Sequence, residues 1–218
     1  MIEITNAIEV FQQNIGRTKA LIEAMDKIKA YNCLYQMREA VTDPQIAKLV
    51  TEIQDRQLAW IELSCAEHAI ISLATAFETY CKELVQELLA SYPDYFLRYK
   101  TNDTNQVRKL IESKEKISLE KIEATLKFKN RFDYYRFFES YSIPFLSEKE
   151  AELIEYIFIK RNYFVHNAGK PNGKTEVKLQ QIPHPVKEEM IRTEAKKLRT
   201  KLERVIISLH KRVHSVCK

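Results

Sequence analysis

The sequence predicts an all-α helical bundle, and three observations carry that prediction. Only three glycines (Gly16, Gly169, Gly173) and six prolines interrupt 218 residues, too few for the turns of a many-stranded sheet. Apolar side chains recur at three- and four-residue intervals along most of the chain, the spacing of one helical face. Helix start and stop signals (Thr42-Asp43-Pro44, Ser147-x-x-Glu150, Gly169) fall where those intervals begin and end.

A first helix is expected over 5–38, on Ile8, Phe11, Ile15, Leu21, Ile22, Met25 and Ile28. Thr42-Asp43-Pro44 then breaks the chain and starts the next helix, because proline at the first helical position has no lost donor to replace. From Pro44 the pattern stays helical to Ala90. That exceeds an ordinary helix, so a break or bend is expected near 55–64. Residues 66–89 are the most apolar stretch, with Ile70, Ile71, Leu73, Ala74, Phe77, Tyr80, Cys81, Leu84, Leu88 and Leu89, and read as the central core helix. Ser91-Tyr92-Pro93-Asp94 stops it. Shorter helices follow over 104–113, 118–128 and 131–142. Ser147-Glu148-Lys149-Glu150 is a capping box that starts another helix, which Gly169, Pro171 and Gly173 end. Residues 175–182 alternate weakly through Val177, Leu179 and Ile182 and read as a short extended segment. After His184-Pro185 one helix runs to about Val216; Ile191, Ala195, Leu198, Leu202, Val205 and Leu209 form its packing seam. No internal repeat, low-complexity tract or Gly/Ser linker appears.

Composition bounds the setting. A hydrophobic fraction of 45% is ample for a buried core and argues against disorder. Cys33, Cys65, Cys81 and Cys217 show no Cys-x-x-Cys pairing, so they read as buried or free thiols in a reducing compartment. The N-terminus lacks a basic stretch followed by an apolar one, and the longest apolar runs, such as 69–77, are too short to span a membrane. A cytoplasmic protein with no membrane partner is expected. From Lys160 to Lys218 there are 15 Lys+Arg against 5 Asp+Glu, and the remainder carries 20 against 25. That asymmetry suggests an anionic partner for the C-terminal third, nucleic acid being the commonest; a solvated, lysine-rich helix accounts for it equally well.

The run Arg161-Asn162-Tyr163-Phe164-Val165-His166-Asn167 ends an otherwise apolar helix. Leu153, Ile154, Ile157 and Phe158 define its core stripe, and at about 100° per residue Arg161 falls inside that stripe. A guanidinium there is costly unless something anionic or polar meets it. His166 is the side chain best suited to moving protons near neutral pH. The structural alternative is that Arg161 and Asn162 satisfy buried carbonyls while His166 favours a helix C-terminus.

Arg161-Asn162-x-x-x-His166 resembles the Arg-x4-His signature of the HEPN superfamily (higher eukaryote and prokaryote nucleotide-binding domains). His166-Asn167-Ala168-Gly169 is similar to that family's His-Asn-x-Gly extension, and Ala74-x-x-Phe77-Glu78-x-Tyr80 with Leu84 and Leu88 resembles its first core helix. The segment 175–179 before a long final helix resembles the family's tail. The resemblance covers roughly residue 66 to the C-terminus. It divides the chain into an N-terminal helical extension, 1–60, and a HEPN-like helical bundle, 61–218. It implies a homodimer acting as a metal-independent endoribonuclease on RNA, in a family that includes toxins and antiviral defence effectors. An antitoxin or other regulatory protein is then an expected partner.

The residue types fit that chemistry. RNA cleavage by its own 2′-hydroxyl needs a base, an acid and positive charge against the phosphorane. His166 can be base or acid, Arg161 offers a bidentate fork, and Asn162 lies one turn before His166. These three are the expected catalytic residues; Lys170, Lys174 and Asn167, tethered beside them, are the expected phosphate contacts. On an ideal helix Arg161 and His166 lie about 140° apart. They converge only if the last turn loosens or a second chain completes the site. No cofactor is expected. The competing reading is a non-catalytic HEPN-like module that binds nucleotide, RNA or a protein partner.

Other constellations are weaker. His210 and His214 have zinc-binding spacing, but Lys211-Arg212-Val213 supplies no third ligand and repels a cation, so no metal is expected. Cys65 with His68 reads as a thiol and an imidazole in a buried helix. Seven aromatics lie between 132 and 145, a density that favours a core or interface over base stacking. No glycine-rich phosphate loop, serine-nucleophile motif or carboxylate metal cluster is visible.

Overall fold

The computed structural model describes residues 6–30, 44–113, 117–167 and 191–217. Among the described residues every regular element is a helix, as composition and periodicity predict. In chain order they are α1 (Asn6–Ala30), α2 (Pro44–Ser91), α3 (Pro93–Leu97), α4 (Thr104–Glu112), α5 (Leu119–Leu126), α6 (Arg131–Ser140), α7 (Glu148–Asn167) and α8 (Ile191–Cys217). The extended segment expected over 175–182 lies outside the described residues.

The break expected near 55–64 is absent: α2 runs unbroken for 48 residues. The physical reason is in the sequence, since no glycine or proline separates Pro44 from Pro93 and nothing interrupts the backbone ladder. Pro93 does end α2, and it also opens the short α3, which sequence reading treated only as a stop. The capping box at α7 is present as expected. The Ser147 amide donates to Glu150 Oε2 at 2.7 Å, and the Glu150 amide donates to Ser147 Oγ at 3.4 Å. A second capping box, Asn130 with Asp133, starts α6. At the end of α5, Lys127 adopts a left-handed conformation (φ 54°, ψ 38°), the position glycine usually fills.

The chain divides into two units, and α2, α7 and α8 each supply a stretch to both. The first comprises Met1–Asn14, Ala74–Glu155 and Lys201–Lys218. Its core holds Phe77, Tyr80, Leu84 and Leu88 of α2 and Leu202, Ile206, Leu209 and Val213 of α8, all fully buried. An aromatic cluster extends it: Phe96 lies 4.9 Å from Tyr141 and 5.9 Å from Phe137, and Phe138 stacks on Phe145 at 4.2 Å. Of the seven aromatics between 132 and 145, Tyr134, Phe137, Phe138, Tyr141 and Phe145 are buried, so the segment fills a core. Each such ring contributes about 1.5–3 kcal/mol by leaving water. Arg212 pins the loop before α7, donating to the carbonyls of Pro144 and Phe145 and to Glu150 Oε2 at 2.9, 2.6 and 2.9 Å.

The second unit comprises Ile15–Leu73 and Tyr156–Thr200. Ile15 and Ile22 of α1, Ala66, Ala69, Ile70 and Leu73 of α2, Ile157, Phe158, Ile159 and Phe164 of α7, and Ala195 and Leu198 of α8 are among its buried apolar residues. Among the described residues, no helix is long and apolar enough to cross a membrane.

Candidate functional site

The motif sits at the C-terminal end of α7. The helix enters it from an apolar stripe in which Ile154, Ile157 and Phe158 are buried, and it stays α-helical through Asn167. Arg161 is half-buried beside that stripe, as its helical angle requires. Its Nη1 donates to Asn162 Oδ1 at 3.3 Å, while its buried Nε has no hydrogen-bond partner among the described residues. Asn162 is exposed. His166 and Asn167 belong to the last turn of the helix, and Lys170 and Lys174 lie outside the described residues.

The unbroken last turn decides one question left open by the sequence. The helix does not loosen before Asn167, so Arg161 and His166 keep their separation of about 140° around one axis. Within one protomer the two positions diverge.

One turn earlier stands a buried polar group that sequence reading missed. Tyr156 donates its hydroxyl hydrogen to Glu194 Oε1, and Lys160 Nζ lies 3.6 Å from Glu194 Oε2. Glu194 is only 5% exposed; burial raises its carboxyl above the ordinary range and Lys160 opposes that rise. Burial, and then the Glu194 carboxylate, push the Tyr156 hydroxyl far upward, so it stays protonated and acts as a donor. The available signal was positional: Glu194 is the one acid that falls within the seam of Ile191, Ala195 and Leu198. The group fixes the start of α8 to α7 at the residue before Arg161.

On α8 the charged face is separate from the seam. Lys197, Lys201, Arg204 and Lys211 are exposed and fall within about 80° of one another around the helix. Four basic residues of the C-terminal third thus form a stripe along one element.

Two further constellations come out differently from their sequence reading. Cys65 is half-buried and His68 is exposed, with its Nδ1–H donating to the Ser64 carbonyl at 2.7 Å, so they are not groups of a buried helix face. Cys65, Cys81 and Cys217 are free thiols. His210 and His214 do acquire a third donor, contrary to expectation. The fold brings Glu87 of α2 to them, with His214 Nε2 2.7 Å from Glu87 Oε1. The cations next to them in sequence do not interfere: Lys211 is exposed and Arg212 is held by Glu150 and two carbonyls.

Comparison with protein-family models, curated proteins and solved structures finds no match to this chain.

Proposed function

We propose that the protein is a metal-independent endoribonuclease of HEPN type, working as a homodimer in which two α7 ends meet. The observation that carries the reading is Arg161, a half-buried arginine whose buried Nε has no hydrogen-bond partner among the described residues, five residues before His166 on the same helix. An unsatisfied guanidinium nitrogen costs free energy that a phosphate oxygen recovers. Asn162 holds the other end of that guanidinium and limits its rotation.

The unbroken helix makes the dimer part of the chemistry. Two-fold pairing of α7 sets each Arg161 toward the partner's motif and assembles two arginines and two histidines around one cleft. There the imidazole of one chain takes the 2′-hydroxyl proton and passes it to the departing 5′-oxygen, while the guanidinium fork of the other chain neutralises the phosphorane. The exposed basic stripe of α8 supports the same substrate class, because lysines and arginines along a helix attract the phosphate backbone. Lys170, Lys174 and Asn167 extend the phosphate contacts. A cytoplasmic toxin or antiviral effector, restrained by an antitoxin or regulatory protein, is the biological setting this reading favours.

The test is cleavage of mixed RNAs by the purified protein in EDTA. Products ending in 2′,3′-cyclic phosphate, lost by at least a hundredfold in both His166→Ala and Arg161→Ala, are the expected outcome. Wild type and variants that bind RNA alike and cleave none would instead establish a non-catalytic module.

A further inference from the structure

We infer that Glu87, His210 and His214 form a binding site for a divalent transition-metal ion, Zn2+ by the nature of its donors. One ring nitrogen from each histidine and a carboxylate oxygen of Glu87 all lie within 4.8 Å of one another. Ligands around a tetrahedral zinc stand about 3.3 Å apart, since each bond is about 2.0–2.1 Å. Closing the set to that spacing brings its farthest atoms at most about 1.5 Å nearer. Two imidazoles and one carboxylate are a borderline donor set that selects Zn2+ over Mg2+ or Ca2+, which take oxygen ligands.

The surroundings are those of a built site. His210 is 3% exposed, on the buried side of α8, and His214 follows one turn later, its ring centroid 4.4 Å away. Each imidazole has a tyrosine hydroxyl at its Nδ1: Tyr80 at 3.4 Å from His210 and Tyr92 at 3.2 Å from His214. Such outer contacts fix ring orientation around a metal. For His214 this leaves Nε2, the nitrogen facing Glu87, as the ligand atom. The other oxygen of Glu87, Oε2, accepts the Ala7 amide at 3.3 Å, so the carboxylate is itself oriented by a backbone donor.

Glu87 lines a cavity of about 580 Å³ that also contains Asn6, Glu83 and Gln86. Glu83 and Glu87, one turn apart on α2, give its wall a negative character that favours cations. The bound ion clasps α2 to α8 inside one unit. The ordinary alternative is a Glu87–His214 ion pair beside a neutral core histidine.

This site shares no residue with the ribonuclease motif, and its test uses no RNA, so either proposal fails without the other. Metal-stripped wild-type protein is titrated with Zn2+ by calorimetry and melted with and without the ion. Saturation at one Zn2+ per chain, with a rise in Tm, is the expected result. Glu87→Gln and His214→Gln each lose at least tenfold in affinity, while His68→Gln keeps it. Circular dichroism confirms that the variants fold. Co2+ added to the wild type supplies a readout independent of any variant, through the visible absorption bands of a tetrahedral site. Absence of saturable Zn2+ binding by the wild type, or affinity undiminished in both ligand variants, overturns the proposal.

Discussion

Arg161 and Glu194 show how differently two buried charges are handled within the second unit. Glu194 is met on both sides, by the Tyr156 hydroxyl and the Lys160 ammonium, and serves to join helices. Arg161 keeps a buried Nε that the described residues do not satisfy, whereas Glu194 Oε2, also without a hydrogen bond, has the Lys160 cation 3.6 Å away; that is why the arginine, and not the acid, is the functional lead. The structural role of the Glu194 group gives a prediction. Lys160→Met leaves the carboxylate buried without its cation and costs about 3 kcal/mol in urea denaturation at pH 8. The pH dependence has a definite sign. Glu194 is held above its unfolded value, so its charged form is the penalised one. In the variant that penalty is full above the folded pKa and fades as pH falls through it, so the deficit is smaller at pH 5. A loss under about 1 kcal/mol at pH 8, or one that grows on acidification, contradicts this account.

Element boundaries were legible wherever a local signal sets them. Ser147 and Glu150 announce the start of α7 because a capping box is a chemical device contained in four residues. The apolar seam of α8 was readable at Ala195, Leu198, Leu202 and Leu209, which are buried, while Ile206 and not the half-buried Val205 completes it. The misplaced break in α2 has the opposite origin: helix length is a statistical expectation with no residue behind it, and 44–91 contains neither glycine nor an internal proline. Glu87 beside His210 and His214 was illegible for a third reason, because two helices far apart in sequence supply the donors. Chemistry local in sequence is readable; chemistry assembled by packing is not. The same logic applies to Lys127, whose left-handed φ of 54° carries no glycine signal. Lys127→Gly relieves that strain and raises stability by about 1 kcal/mol in thermal or urea melts. A destabilised variant shows that the lysine side chain contributes more than its backbone costs.

At the scale of the whole molecule, the charge asymmetry and the incomplete motif point to partners. Under the proposed function, the exposed basic stripe on α8 is suited to an anionic partner, and an Arg161–His166 pair split around one unbroken helix converges only with a second copy. Composition suggested the first feature and helix geometry the second; the last turn of α7 stays helical through Asn167, so the proposed chemistry depends on the homodimer that the resemblance to HEPN domains implies. Light scattering during size exclusion at tens of micromolar is expected to give twice the 25.7 kDa chain mass. The most direct measurement of the central claim mixes two inactive proteins. Arg161→Ala and His166→Ala are purified separately, each shown to lack RNA cleavage in EDTA, then combined under conditions that let subunits exchange. A mixed dimer keeps one intact arginine from one chain and one intact histidine from the other. Recovery of a substantial fraction of wild-type cleavage, with 2′,3′-cyclic phosphate ends, is the predicted result. A mixture as inert as its components, beside an active wild type, contradicts the shared site.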